Sequence, residues 1–182
     1  MKIGIDIDET IVNTHEVVME FAKKMNMQFK SYAEIKTPAG TKFLRENLEN
    51  IHKNVVLFPN VKEALDTLKN KGFEIVFITA RGSNHEVPIK FDFEKVTEDI
   101  FTKYQIPYDK IIYKSFPKGK HAFAEKLDYF IDDREDVLDE VTGYGIKCIR
   151  KVSNMNEESK YPKFADWQDI LDYFLKKEGG IK

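Results

Sequence analysis

The sequence predicts an α/β protein with a Rossmann-like, doubly wound parallel sheet that carries a small helical insertion. Short apolar runs rich in β-branched and aromatic residues recur along the chain. Segments with apolar residues three and four positions apart lie between these runs, and glycine or proline separates many of them. Alternation of this kind is typical of parallel strands joined by right-handed helical crossovers.

The first predicted strand opens the chain. Ile3, Ile5 and Ile7 dominate the run Lys2–Ile7, which is short and apolar as expected for a buried strand. Four later runs have a similar character and cover residues 73–79, 109–113, 127–131 and 146–149. Strands covered by helices on both faces carry little polar alternation. We therefore expect a sheet of five strands.

The segment 14–58 contains two helical patterns and no convincing strand. Apolar residues at helical spacing begin near Val17 and again near Phe43. The segment separates the first strand from the next helix and strand by more than an ordinary loop. We interpret it as a small helical cap, with residues 1–13 and 59–182 forming the core domain. A longer crossover packed on the sheet is the alternative.

Five further helical patterns accompany the later strands. The first has a capping-box pattern at Asn60 and Glu63 and ends at Gly72. The others fall near residues 93–104, 118–126, 134–141 and 167–174.

Composition and charge exclude several classes of protein. A chain of 182 residues can form one domain with a sizeable core, and its net charge of −2 argues against a nucleic-acid polymer as partner. Its apolar stretches are shorter than the roughly 20 residues of a membrane span. Asp6 and Asp8 interrupt the N-terminal run, unlike a signal peptide. Cys148 is the one cysteine and the four histidines are scattered, so we expect a cytoplasmic protein without a disulfide or a zinc site.

Polar side chains follow three of the predicted strands. Asp6 and Asp8 lie at the end of the first, Thr79 ends the next, and Asp132-Asp133 follow the fourth. Carboxyl ends of parallel strands share one edge, where open sheets bind ligands. Neighbouring carboxylates repel each other unless a cation joins them, and oxygen ligands suit Mg²⁺. The Thr79 hydroxyl and the Arg81 guanidinium suit a phosphate oxygen. Each residue alone also fits an ordinary strand end. The combination is far more specific for a ligand site than any single residue.

A lysine-bearing loop lies between Thr79 and the second acidic pair. Lys118 and Lys120 flank Gly119 where this loop enters a helix. Of the two, we favour Lys120 as a residue of the site, because the preceding glycine permits close approach, and we keep Lys118 as the alternative.

In this order, the four motifs resemble those of the haloacid dehalogenase superfamily of phosphatases. They are Asp6-Ile-Asp8-Glu-Thr10, Ile-Thr79-Ala-Arg81, the Lys118/Lys120 loop and Ile-Asp132-Asp133-Arg134. The match spans about residues 1–150. Within the superfamily the chain is most similar to the small 5'(3')-deoxyribonucleotidase-like group. Glu9 is a departure, since many members carry glycine at that position.

The resemblance implies a role for each motif. Asp6 would be the nucleophile that forms an aspartyl-phosphate, and Asp8 the general acid and base. Mg²⁺ would bind the Asp6 carboxylate, the Asp8 backbone carbonyl and Asp132, with Asp133 supporting this set from behind. Thr79 and the lysine, Lys120 by our choice, would hold the phosphoryl oxygens.

We therefore expect a Mg²⁺-dependent phosphatase for small phosphate monoesters, with a nucleoside monophosphate as the expected substrate and a monomeric or homodimeric state. Phe29, Tyr32 and Phe43 in the cap could stack on a base, or they could pack the cap's own core. Alternatives are a phosphatase or phosphotransferase acting on another small organic phosphate, and a catalytically silent phosphate- or nucleotide-binding protein.

Overall fold

The computed structural model of the chain describes residues 1–30, 34–35, 37–83 and 91–179. The described chain forms a six-stranded, all-parallel sheet in the order β3-β2-β1-β4-β5-β6. The strands are β1 Lys2–Ile5, β2 Glu74–Ile78, β3 Lys110–Ile112, β4 Tyr129–Asp132, β5 Lys147–Lys151 and β6 Lys163–Phe164. The predicted doubly wound α/β sheet is confirmed.

Seven helices accompany the sheet within the described ranges. They are α1 Thr14–Lys24, α2 Pro38–Lys53, α3 Val61–Asn70, α4 Phe93–Tyr104, α5 Gly119–Ala124, α6 Glu135–Thr142 and α7 Trp167–Gly179. Two hydrophobic clusters reflect the two covered faces: Ile75 and Phe77 of β2 belong to one, and Val76 and Ile78 to the other. In the described chain, no helix has the length and apolar character needed to cross a membrane.

The structure corrects three local predictions. A sixth strand, β6, pairs with β5 at the sheet edge, and its two residues are too few to give a sequence pattern. Helix α2 starts at Pro38 rather than near Phe43, because the Thr37 side chain accepts a hydrogen bond from the Gly40 N–H. Asn60 caps nothing with its side chain, which donates to Asp166 instead.

Helices α1 and α2 share one hydrophobic cluster with the sheet. Val18 of α1 and Ile51 of α2 are buried in the same cluster as Ile5 of β1. On the other side of the loop that follows β1, Trp167 of α7 is buried, and its indole N–H donates to the Thr10 carbonyl at 2.9 Å. The loop after β1 is thus fixed from both sides. The division into a core and a cap at residues 14–58 stays a prediction.

Candidate active site

The side chains predicted from the strand ends converge at the carboxyl edge of the sheet. A cavity of about 820 Å³ opens there, and the described residues that line it are Asp6, Asp8, Glu9, His15, Thr79, Ala80, Phe116, Lys118, Asp133, Arg134 and Asp136. β1 lies between β2 and β4, so residues that follow these three strands become neighbours although they are far apart in the chain.

Asp6 lies directly beyond the last residue of β1, next to β4. Its backbone N–H donates to the Ile131 carbonyl at 2.9 Å, which extends the sheet pairing by one residue. Its side chain is 9% exposed. Burial raises the pKa of Asp6 to about 7, while the nearby Lys118 ammonium opposes this rise and Asp132 adds to it.

Asp6, Asp132 and Asp133 form a compact acidic cluster. One carboxylate oxygen from each lies within 4.8 Å of the others. Burial, followed by the charges of Asp132 and Asp6, raises the pKa of Asp133 to about 9. Three close carboxylates form a hard oxygen donor set, which fits Mg²⁺.

The two acids of the second pair face different surroundings. Asp132 is fully buried, and its carboxylate accepts from Lys118 Nζ at 2.8 Å and from the Arg134 N–H at 3.0 Å. Asp133 is only partly buried and lines the cavity. Asp133 therefore faces the cavity and Asp132 faces Lys118, while both belong to the acidic cluster. The expected roles, with Asp132 as a metal ligand and Asp133 supporting it, stay a prediction.

Lys118, rather than Lys120, lies among the carboxylates. Lys118 Nζ is 2.5 Å from Asp6 Oδ1 and 2.8 Å from Asp132 Oδ2, and the side chain is 4% exposed. Burial lowers the pKa of Lys118, but the charges of Asp6 and Asp132 outweigh burial and hold it above its ordinary value. Lys120 is exposed, so the choice of Lys120 is corrected.

Helix packing explains why the first lysine of the loop is the buried one. Glu140 on α6 accepts from the N–H groups of Lys118 and Gly119 at 2.9 and 2.8 Å. A Cβ at Gly119 would lie 2.5 Å from the Tyr144 ring. The glycine therefore lets the start of α5 approach α6, and it does not open a path for Lys120.

Arg81 holds Asp8 with a forked pair of hydrogen bonds. Arg81 Nε donates to Asp8 Oδ2 at 2.9 Å and Nη2 to Oδ1 at 2.7 Å, while the Thr14 hydroxyl donates to Oδ1 at 2.5 Å. Burial would raise the pKa of Asp8, but the charge and hydrogen bonds of Arg81 reverse this and hold it well below its usual range.

This pairing corrects the prediction that Arg81 binds phosphate. The Arg81 side chain is 2% exposed, and its Nη1 donates to the Thr97 hydroxyl at 3.0 Å. Its guanidinium is therefore committed to Asp8 and Thr97. Thr79 keeps its predicted place at the end of β2: its hydroxyl oxygen accepts from the Arg81 N–H at 3.2 Å, and the side chain lines the cavity.

Glu9 adopts a left-handed backbone, with φ of 55°. Glycine tolerates such a position without strain, which explains why glycine suits it in relatives. Here the Glu9 carboxylate accepts from the His15 N–H at 2.6 Å and lies 3.4 Å from His15 Nδ1. Burial raises the pKa of Glu9. Glu9 thus holds the first turn of α1 against the cavity.

Sequence reasoning assigned no role to several residues of the cavity wall, among them Phe116 and Arg134. Both flank predicted site residues, Lys118 and Asp133, and this adjacency was the available signal. Of the aromatic residues that were considered, Phe43 is buried and packs on Phe29 at 6.0 Å between ring centroids. Tyr32 lies outside the described residues.

Known proteins resemble this chain in sequence and in fold. A Bacillus cereus protein named "Putative nucleotidase" is 28% identical over 196 residues, which cover 98% of this chain and 100% of that protein. A Haemophilus influenzae phosphoglycolate phosphatase is 34% identical over 171 residues, covering 84% of this chain and 74% of that protein. A haloacid dehalogenase-like hydrolase structure from Streptococcus pneumoniae matches with a TM-score of 0.66 and 14% identity, covering 95% of this chain and 97% of its own. No protein-family model matches the sequence.

A doubly wound parallel sheet with an aspartate beyond its first strand and an acidic pair beyond a neighbouring one defines a class of α/β hydrolases. The chain belongs to the haloacid dehalogenase superfamily of hydrolases.

Proposed function

We propose that the protein is a Mg²⁺-dependent phosphatase that hydrolyses small phosphate monoesters through an aspartyl-phosphate. The observation that carries the proposal is the buried cluster in which Lys118 contacts both Asp6 and Asp132 beside the cavity. A carboxylate nucleophile held beside a lysine and further acids suits phosphoryl transfer, where positioning and charge stabilisation dominate.

In the first step, a carboxylate oxygen of Asp6 attacks phosphorus and the bond to the leaving oxygen breaks. Asp8 gives its proton to that oxygen. Arg81 keeps Asp8 ionised in the arrangement seen here, and the negative charge of a bound phosphate raises the pKa of Asp8 toward the protonated form. The Lys118 ammonium and the Thr79 hydroxyl donate hydrogen bonds to the phosphoryl oxygens, and the charge of Lys118 offsets the negative charge on them.

In the second step, the ionised Asp8 takes a proton from water as that water attacks the phosphorus of the aspartyl-phosphate. The bond between phosphorus and Asp6 breaks, which releases inorganic phosphate and restores the Asp6 carboxylate. Arg81 favours the ionised form of Asp8 that this step requires.

Asp6 and Asp132 are the side chains that would hold Mg²⁺, together with the Asp8 backbone carbonyl implied by the family resemblance, and Asp133 would support them. When bound, the ion lowers the repulsion between the Asp6 carboxylate and the phosphate. Asp132 also accepts a hydrogen bond from the Lys118 ammonium.

We propose a nucleoside monophosphate, and a deoxyribonucleotide in particular, as the substrate. The relative named "Putative nucleotidase" supports this choice. A cavity of about 820 Å³ is of the size that accepts a nucleotide-sized ligand. The second candidate is phosphoglycolate, supported by the 34% identical relative.

The remaining parts of the proposal concern the surroundings of the enzyme. We propose a cytoplasmic protein, monomeric or homodimeric, whose partner is the small substrate rather than a nucleic-acid polymer or a membrane. The single cysteine and the net charge of −2 support this assignment.

The test is phosphate release from a panel of monoesters with and without Mg²⁺. Deoxynucleoside monophosphates, phosphoglycolate and sugar phosphates are compared at equal concentration, and added alcohols detect phosphoryl transfer. We expect magnesium-dependent release, with the highest kcat/KM for a deoxynucleotide. Binding without any turnover of the panel would favour a silent nucleotide-binding protein, and transfer exceeding release would favour a phosphotransferase.

A further inference from the structure

We propose that Phe116 and Arg134 form a platform that stacks against a planar ring in the leaving group, so that core loops at the cavity mouth select the substrate. This inference rests on the proposed phosphatase function and deepens it. It assigns recognition of the leaving group to the loop after β3 and the turn after β4.

Phe116 presents an apolar ring to a polar active-site cavity. It is 55% exposed and lines the same cavity as Asp6 and Asp8. Single exposed apolar side chains are common at protein surfaces, so the distinguishing feature of Phe116 is its position beside Asp6 and Asp8.

The backbone on both sides of Phe116 is fixed. The Ser115 N–H donates to the Thr79 carbonyl at 3.0 Å, and the Ser115 hydroxyl donates to the Tyr113 carbonyl at 3.0 Å. On the other side, the Lys118 N–H donates to Glu140. The ring is therefore held on a loop that is already ordered. Stacking of a ligand against it requires little further loss of the loop's conformational entropy.

Arg134 adds a second flat surface beside the ring. Its guanidinium carbon lies 5.9 Å from the Phe116 ring centroid. Asp136 orients the guanidinium, since Asp136 accepts from Nε at 3.1 Å and from Nη2 at 2.5 Å. Planar aromatic groups stack on both phenylalanine rings and guanidinium planes.

Phe29 and Phe43, the described members of the three aromatic residues expected to stack on a base or pack the cap, face elsewhere. Phe43 is 2% exposed, and Phe29 packs against it. Phe29 also lines a separate groove along α1, with Met19 and Met27. These contacts place both rings in packing, whereas Phe116 faces the cavity.

The ligand class that fits is a phosphate monoester whose leaving group carries a planar ring within reach of the phosphate. A nucleoside monophosphate and an aryl phosphate share this chemistry. Deoxyribose 5-phosphate has the sugar and the phosphate without the ring. A comparison of the three compounds therefore separates recognition of the ring from recognition of the phosphate.

The experiment compares Phe116→Ala, Phe116→Trp and Phe123→Ala with the unaltered protein. Phe123 is a matched control, because it is 62% exposed and packs on Tyr144, and it is not among the residues lining the cavity. For each protein, kcat/KM is measured with a deoxynucleoside 5'-monophosphate, 4-nitrophenyl phosphate and deoxyribose 5-phosphate.

We expect Phe116→Ala to lower the ratio of kcat/KM for the nucleotide to that for deoxyribose 5-phosphate by about tenfold to hundredfold. Phe116→Trp should keep the ratio, and Phe123→Ala should leave both values unchanged. A drop for 4-nitrophenyl phosphate alone would identify aryl phosphates as the ligand source. An unchanged ratio in Phe116→Ala would overturn the proposal while leaving the phosphatase function standing.

Calorimetric binding to Asp6→Asn distinguishes failure of the platform from failure of the function. Two double variants are compared, Asp6→Asn/Phe116→Ala and Asp6→Asn/Phe123→Ala. Loss of nucleotide affinity in the first but not in the second supports the platform even when no ester is hydrolysed. Equal nucleotide affinity in both double variants would refute it.

Discussion

Arg81 and Asp8 join the ends of β1 and β2 through two parallel hydrogen bonds of 2.9 and 2.7 Å. The two residues are 73 positions apart in the chain, and neither lies inside a regular strand. The bonds orient the Asp8 carboxylate and stabilise its ionised form. A positioned, ionised carboxylate is the form required to activate water.

Arg81→Lys should therefore lower kcat by about tenfold to hundredfold, because lysine cannot form the forked pair. Weaker stabilisation of the carboxylate raises the pKa of Asp8, so the part of the pH–rate profile that belongs to Asp8 should move to higher pH. Steady-state kinetics across pH measure both effects. Arg45→Lys, on the exposed side of α2, is the control and should change neither.

Lys118 and Lys120 form a matched pair for testing the lysine assignment. Lys118→Ala should reduce kcat/KM by about 10²- to 10³-fold, the usual loss when one stabilising donor is removed. It should also lower the free energy of unfolding in EDTA by about 3–5 kcal/mol, because Asp6 and Asp132 lose their buried counter-charge. Lys120→Ala should change the free energy of unfolding by no more than about 0.5 kcal/mol. Denaturant unfolding and steady-state kinetics measure both effects. Equal effects of the two substitutions would contradict the assignment of Lys118.

Asp6→Asn should abolish turnover by about 10⁴-fold or more while the fold is kept, because asparagine preserves the shape and removes the nucleophile. Asp8→Asn should reduce turnover by about 10²- to 10⁴-fold and accumulate phosphorylated protein. Intact-mass spectrometry detects the added phosphoryl group, and circular dichroism checks folding. Rapid turnover in either variant would remove that residue from its role.

Activity should require Mg²⁺ and disappear in EDTA, with Ca²⁺ a poor substitute because its coordination is larger and looser. Asp133→Asn should weaken the apparent Mg²⁺ affinity by about tenfold or more, since it removes an oxygen from the acidic cluster. Asp128→Asn is the control: Asp128 lies before β4 at the opposite edge, where it accepts from the Lys2 N–H. Full activity after chelation would refute the metal requirement.

The metal-free protein should lose stability as the pH rises from about 5 to 9. The pKa of Asp133 is raised to about 9, so the folded state keeps a proton that the unfolded chain has released above about pH 4. This group contributes at most about 1.4 kcal/mol per pH unit. Denaturant unfolding in EDTA should show a shallower pH dependence for Asp133→Asn than for the unaltered protein. Identical slopes would contradict the raised pKa.

The local sequence pattern was sufficient to predict the strands and helices and the edge of the sheet that carries the site. Strand β1, its neighbouring strands and the helices between them were predicted from the spacing of apolar residues. That spacing arises because the sheet is buried on both faces. Asp6, Asp8, Thr79 and Asp132 could be assigned to one edge because parallel strands share a direction. β6 could not be predicted, because two residues carry too little periodicity.

The partners of each side chain depended on tertiary packing. Lys118 and Lys120 are equivalent in the sequence, and only the contact between α5 and α6 at Gly119 and Glu140 decides which ammonium is buried. Asp132 and Asp133 are adjacent and identical in type, yet one is turned into the protein and the other toward the cavity.

The sequence by itself determined the doubly wound sheet, the acidic strand ends and the superfamily, because these depend on local periodicity and on motif order. The tertiary structure decided that Arg81 serves Asp8, that Lys118 serves Asp6, and that Phe116 faces the cavity. These pairings join residues from different strands and loops. Their energies depend on distances that exist only after the strands have been brought together.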